Sequence, residues 1–63
     1  MAVNWDIKIY RDDGSDGEGE TIRGLSYFQM TAIGKMLRRL KVKKWRVMKF
    51  VDGKYYEGFI VEL

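Results

Sequence analysis

The chain contains no cysteine and no histidine. No disulfide can staple it, and the thiolate and imidazole groups that hold most structural zinc are missing. The same absences remove the commonest catalytic base and the most reactive nucleophile. Serine does not fill the gap: Ser15 lies in a run of turn-forming residues, and Ser26 sits where a helix cap is expected. The Asp, Glu, Lys and Tyr residues show no spacing that pairs them, and no glycine-rich phosphate motif joins a strand to a helix. The expectation is a chain that is not an enzyme and carries neither metal nor organic cofactor. Long apolar runs are also absent, since no stretch approaches the ~20 residues of a membrane span. Met1 to Asp6 lack the basic start and apolar run of a signal peptide. A cytoplasmic protein that makes no membrane contact is expected.

A further absence concerns charge of one sign. From Arg23 to Val51 there is no Asp or Glu, while Arg23, Lys35, Arg38, Arg39, Lys41, Lys43, Lys44, Arg46 and Lys49 all fall there. The segment from Asp12 to Glu20 reverses the sign, with Asp12, Asp13, Asp16, Glu18 and Glu20 and no base. The net charge of +3 therefore hides a strong separation along the chain.

What is present is a chain of 63 residues, enough for a single domain over 1–63 with a marginal core. Two Trp, four Tyr and three Phe are many for this length. They offer stability through large buried rings, with self-association as the other route.

Residues 3 to 10 alternate strictly, with Val3, Trp5, Ile7 and Ile9 on one side and Asn4, Asp6, Lys8 and Tyr10 on the other. This period of two predicts a half-buried strand over 3–11. Residues 12–20 hold three glycines and five acids without an apolar side chain, and read as a loop. Asp12, Asp16, Gly17 and Glu18 loosely suggest a calcium loop, but the alignment puts Arg23 where the bidentate Glu belongs, so no metal site is assigned. Thr21 to Gly24 is expected to be extended only briefly.

Ser26 followed by Gln29 matches a capping box, and Leu25 and Met30 sit where a hydrophobic staple would close. Met30, Ile33, Leu37 and Leu40 continue as an apolar stripe. A helix over 27–41 follows, with Gly34 inside it read as a close approach to the sheet. Strands are predicted at 43–51 and 54–62, joined by Asp52-Gly53, a type I′ hairpin turn. In that hairpin Val51 opposes Lys54, Lys49 opposes Tyr56 and Trp45 opposes Ile60. On its other face Phe50 opposes Tyr55, Met48 opposes Glu57 and Arg46 opposes Phe59.

These elements predict an α+β fold, a small β-α-β-β domain. Its three-stranded antiparallel sheet has one helix on one face. The dense run Phe59-Ile60-Val61 favours placing the last strand centrally, in order 1-3-2; order 1-2-3 would make the first two strands parallel. The face with Met48, Phe50, Tyr55, Phe59, Val61 and Leu63 is assigned to the core. The face with Trp45, Val47, Val51, Tyr56 and Ile60 is then open.

Aromatic rings among bases on an open sheet suit single-stranded nucleic acid, because bases stack on rings while Lys and Arg follow the phosphates. The predicted platform is Lys43, Trp45, Lys49, Lys54 and Tyr56, extended by Lys35, Arg38, Arg39, Lys41 and Lys44. Phe28, projecting among the helix bases, is the candidate partner contact. The function expected is a non-enzymatic module for single-stranded or structured RNA or DNA. The alternative is a protein-binding inhibitor, adaptor or assembly subunit that uses its open face or an edge strand, including as a homodimer.

Overall fold

The computed structural model describes residues 3–11 and 19–63. The acidic residues from Asp12 to Glu18 lie outside them, and so does the segment considered for calcium. The described chain is α+β, with one helix and an antiparallel sheet of four strands rather than three. In chain order the elements are β1 (Val3–Ile9), β2 (Glu20–Leu25), α1 (Tyr27–Arg39), β3 (Lys44–Val51) and β4 (Lys54–Glu62). The strands lie side by side in the order β2-β1-β3-β4, and every neighbouring pair is antiparallel. Among the described residues, no helix is long and apolar enough to cross a membrane.

The unexpected strand is β2. It pairs Ile22 with Ile7 and Leu25 with Trp5, so Arg23 and Gly24 together face the single residue Asp6. Gly24 takes φ +73°, and its N–H donates to the Asp6 carboxylate at 3.1 Å. This bulge separates the two inward side chains, Ile22 and Leu25, by three positions instead of two, which hides the strand from a period-two reading. It also overturns the 1-3-2 order. An added strand reverses the chain once more before the helix, so β3 arrives antiparallel to β1 and pairs with it directly. The dense apolar run 59–61 therefore lies in an edge strand and not in the centre.

The helix begins as predicted. Ser26 Oγ accepts from the Gln29 N–H at 3.2 Å, and Gln29 Oε1 accepts from the Ser26 N–H at 2.9 Å. Leu25 and Met30 are both buried, as a staple requires. The helix ends two residues earlier than expected. Lys41 N–H donates to Arg38 O at 3.1 Å and Val42 N–H to Leu37 O at 3.0 Å. This pair of bonds is a Schellman closure, in which Lys41 (φ +58°) occupies the left-handed site usually given to glycine. Leu40, read as part of the buried stripe, caps the helix in an exposed position. Gly34 marks no close approach, since a Cβ there would meet nothing within 4 Å.

The core contains Ile7, Leu25, Met30, Leu37, Trp45 and Val47, flanked by Trp5, Ile9, Ile22, Ile33, Val42 and Val61. The hairpin face assignment is overturned before the bulge: Trp45 and Val47 face the helix while Met48, Phe50 and Tyr55 face away, whereas Phe59 and Val61 keep the helix side expected of them. The Asp52-Gly53 turn forms as expected, with φ +49° and +80°. The predicted register holds as far as Lys49–Tyr56, Phe50–Tyr55 and Met48–Glu57. It then slips by one, giving Val47–Phe59, Arg46–Ile60 and Trp45–Val61. Gly58 is the inserted residue. A Cβ there would stand 2.6 Å from the Val47 carbonyl oxygen, so the bulge needs glycine. The slip puts Phe59 and Val61 on the helix side together with Trp45 and Val47.

Candidate nucleic-acid interface

Helix α1 covers one face of the sheet, and its backbone approaches β1 and β2 but not β3 or β4. The opposite face bears no element among the described residues. Cross-strand register assembles that bare face row by row. Thr21, Lys8, Arg46 and Ile60 form one row. Asp6, Met48 and Glu57 form the next, with Arg23 beside Asp6 at the β2 bulge. Asn4, Phe50 and Tyr55 form a third, and Lys44 pairs with Glu62 at the far end.

The face is aromatic and carries four bases, Lys8, Arg23, Lys44 and Arg46, against three acids, Asp6, Glu57 and Glu62. Phe50 and Tyr55 stack at a centroid separation of 4.7 Å. Tyr10 is nearly enclosed, with Lys8 Nζ 5.0 Å and Lys44 Nζ 4.6 Å from its ring centre. Lys44 also lies 3.9 Å from the Glu62 carboxylate. Lys8 and Arg46 stand directly opposite each other, and among the described residues neither has a carboxylate partner. Like charges placed opposite on a sheet are destabilising.

Asp6 is the buried acid of this face, at 3% exposure. It accepts from the Gly24 N–H and also engages the Tyr55 hydroxyl. That hydrogen bond, aided by desolvation and by the Asp6 charge, raises the Tyr55 phenol above its ordinary value. A shallow depression of about 300 Å³ lies here, lined by Asp6, Lys8, Thr21, Arg23, Met48 and Tyr55.

The residues singled out in the sequence are dispersed. Trp45 is 1% exposed beneath the helix, with the Arg38 guanidinium 5.9 Å from its ring, and so is not a stacking surface. Lys49 lies on the helix side, 5.8 Å from the Trp5 ring, opposite a half-exposed Tyr56. Lys54, Lys35, Arg38, Arg39, Lys41 and Lys43 are exposed around the helix side and its C-terminal end. Of the predicted set, Lys44 alone belongs to the bare face. Phe28 is 83% exposed and meets Tyr27 edge-on at 6.5 Å.

Lys8, Arg23, Arg46, Phe50 and Tyr55 were not singled out. The signal for them was present: Lys44 and Arg46 flank Trp45 and Val47, so the alternation there already turned the charges outward. The described residues hold all twelve bases and only five acids, a balance of +7.

The chain has no significant match among family models, curated proteins or solved structures, so its function is argued from this geometry.

Proposed function

We propose that the protein is a non-enzymatic binding module for single-stranded nucleic acid, and that the bare sheet face is its interface. The observation that supports this most is the opposed pair Lys8 and Arg46. Two cations held across from each other cost the fold stability, and a phosphate between them would reverse that cost. Arg23 and Lys44 extend the basic track, and the exposed Tyr55 ring with Phe50 gives bases a surface on which to stack. The mode expected in the sequence is kept, but on the opposite face and with different residues. A cytoplasmic setting belongs to the same reading.

The test is fluorescence anisotropy of labelled single-stranded oligonucleotides across a salt series. We expect affinity to fall steeply with salt, because phosphate contacts release counterions. Lys8→Gln/Arg46→Gln should weaken binding at least tenfold and flatten the salt slope by about one per base removed. The same double variant should be no less stable, and by roughly 0.2–1 kcal/mol more stable, since the like-charge contact is gone. Absence of binding to any oligonucleotide at low salt would rule out the proposal. If Lys35→Gln/Arg38→Gln abolishes binding while the sheet variant does not, the helix end is the site instead.

A further inference from the structure

Strand β4 is an edge, and it is unusually apolar for one. Tyr55, Tyr56, Phe59 and Ile60 are 55%, 53%, 51% and 48% exposed. Edge strands that stay single are normally short, charged or covered. The other edge, β2, fits that pattern with six residues that include Glu20, Thr21, Arg23 and a bulge. Strand β4 runs for nine residues, and the helix-side surface next to it is left open as well. A groove of about 230 Å³ lies there, with Trp45, Val47, Phe59 and Val61 along one side and Met30, Gly34 and Arg38 along the other.

The free peptide groups of this edge can be placed. In an antiparallel ladder each residue turns both its N–H and its C=O to one neighbour, and the next residue turns both away. Val51 and Lys54 close the two-residue turn and face each other. Leu63 N–H donates inward to Lys43 O at 2.9 Å. Counting from both ends, and giving both bulge residues Gly58 and Phe59 to Val47, leaves Tyr55, Glu57, Ile60 and Glu62 turned outward. Their spacing is two, three, two. A regular strand offers outward groups every second residue and would lose register at the bulge. The two-three-two spacing reads the same in both directions, so an antiparallel copy of β4 matches it at all four positions.

We infer that a second copy of this chain occupies the edge, pairing β4 with β4 about a two-fold axis. Tyr55 then faces Glu62 of the second copy, and Glu57 faces its Ile60. On the helix side Tyr56 faces Val61 and Lys54 faces Leu63. No like charges meet in this register, whereas a two-residue slide in one direction sets Glu57 against Glu62. The four exposed apolar side chains of each copy line the seam. The product is a continuous eight-stranded sheet, built from two four-stranded ones. The helices of the two copies lie toward its outer ends, and the two bare faces join into one. The seam shares Tyr55, Glu57 and Ile60 with the border of the bare face, but the inference rests on the free backbone groups of β4 and is tested without nucleic acid.

Sedimentation of the full chain over a wide concentration range should show reversible formation of a species with twice the 7.5 kDa chain mass. Ile60→Pro removes an outward N–H that only the pairing uses, and proline is tolerated on an open edge. It should leave the circular dichroism spectrum unchanged and abolish the dimer. Because the chain has no cysteine, register can be read by cross-linking. Glu57→Cys/Ile60→Cys should oxidise to a covalent dimer, and Tyr55→Cys/Ile60→Cys, offset by two residues, should not. A monomer at every concentration would overturn the inference, leaving the bulge as a device that blunts the edge or the edge as a site for an unrelated extended peptide. A dimer indifferent to Ile60→Pro, or cross-linking in the offset pair only, would overturn it too.

Discussion

Asp6 shows how one side chain can serve fold and surface together. It stands on β1, accepts the Gly24 N–H that closes the β2 bulge, and engages the Tyr55 hydroxyl from β4. The Gly24 bond accounts for an acid at 3% exposure on a face that also carries Glu57 and Glu62. The phenol feels this charge as a penalty on its own ionisation, and its pKa is raised. For a group whose protonated form is favoured in the folded state, the stabilising effect is fully present below the unfolded value of about 10. It is lost as pH rises through the folded value. Ultraviolet titration should therefore show one phenol ionising late. Tyr55→Phe should remove that step, and Asp6→Asn should move it back toward the ordinary range. If all four phenols titrate together in the parent chain, the Asp6–Tyr55 bond is not formed in solution.

Among the elements, two glycines of similar appearance in the sequence have opposite roles. Gly34 lies within α1 at an ordinary helical φ, with open space where a Cβ would go. Gly34→Ala should raise stability by about 1 kcal/mol in a urea titration, the usual helix-interior difference. Gly58 is held against the Val47 carbonyl, and Gly58→Ala should lower stability by about 1–3 kcal/mol as the backbone shifts to admit the methyl. Equal effects at the two sites would mean that the β4 bulge carries no structural demand. The contrast also explains which parts of the fold were legible in the sequence. The capping box at Ser26 and Gln29, the staple, the Asp52-Gly53 turn and the alternation of β1 are encoded by residues close together, and all are present. The two bulges each add one residue to an edge strand and break the period of two. At Gly24 the bulge concealed β2 and so inverted the expected strand order. At Gly58 it moved Phe59 and Val61 to the side opposite Tyr55. The candidate site suffered most, because a one-residue slip reassigns every side chain beyond it to the other face.

At the scale of the whole molecule, the separation of charge becomes a question of self-screening. The described residues carry +7, and the remaining four acids, Asp12, Asp13, Asp16 and Glu18, reduce the chain to +3. All four belong to the segment that connects β1 to β2, and those strands also carry Lys8 and Arg23 of the bare face. Carboxylates that come within a Debye length of a cationic interface compete with phosphate for it, most effectively where salt is low. Replacing the four acids by Asn and Gln keeps size and polarity while removing the competition. Binding to a single-stranded oligonucleotide should tighten severalfold at low salt, and the advantage should shrink as salt rises. Both chains would then converge at high ionic strength, where interactions beyond the Debye length of about 10 Å at 0.1 M are screened. An affinity gain that persists unchanged at high salt would point to direct steric blocking by the segment. No gain at any salt would show that the acids lie too far from the bare face to regulate it.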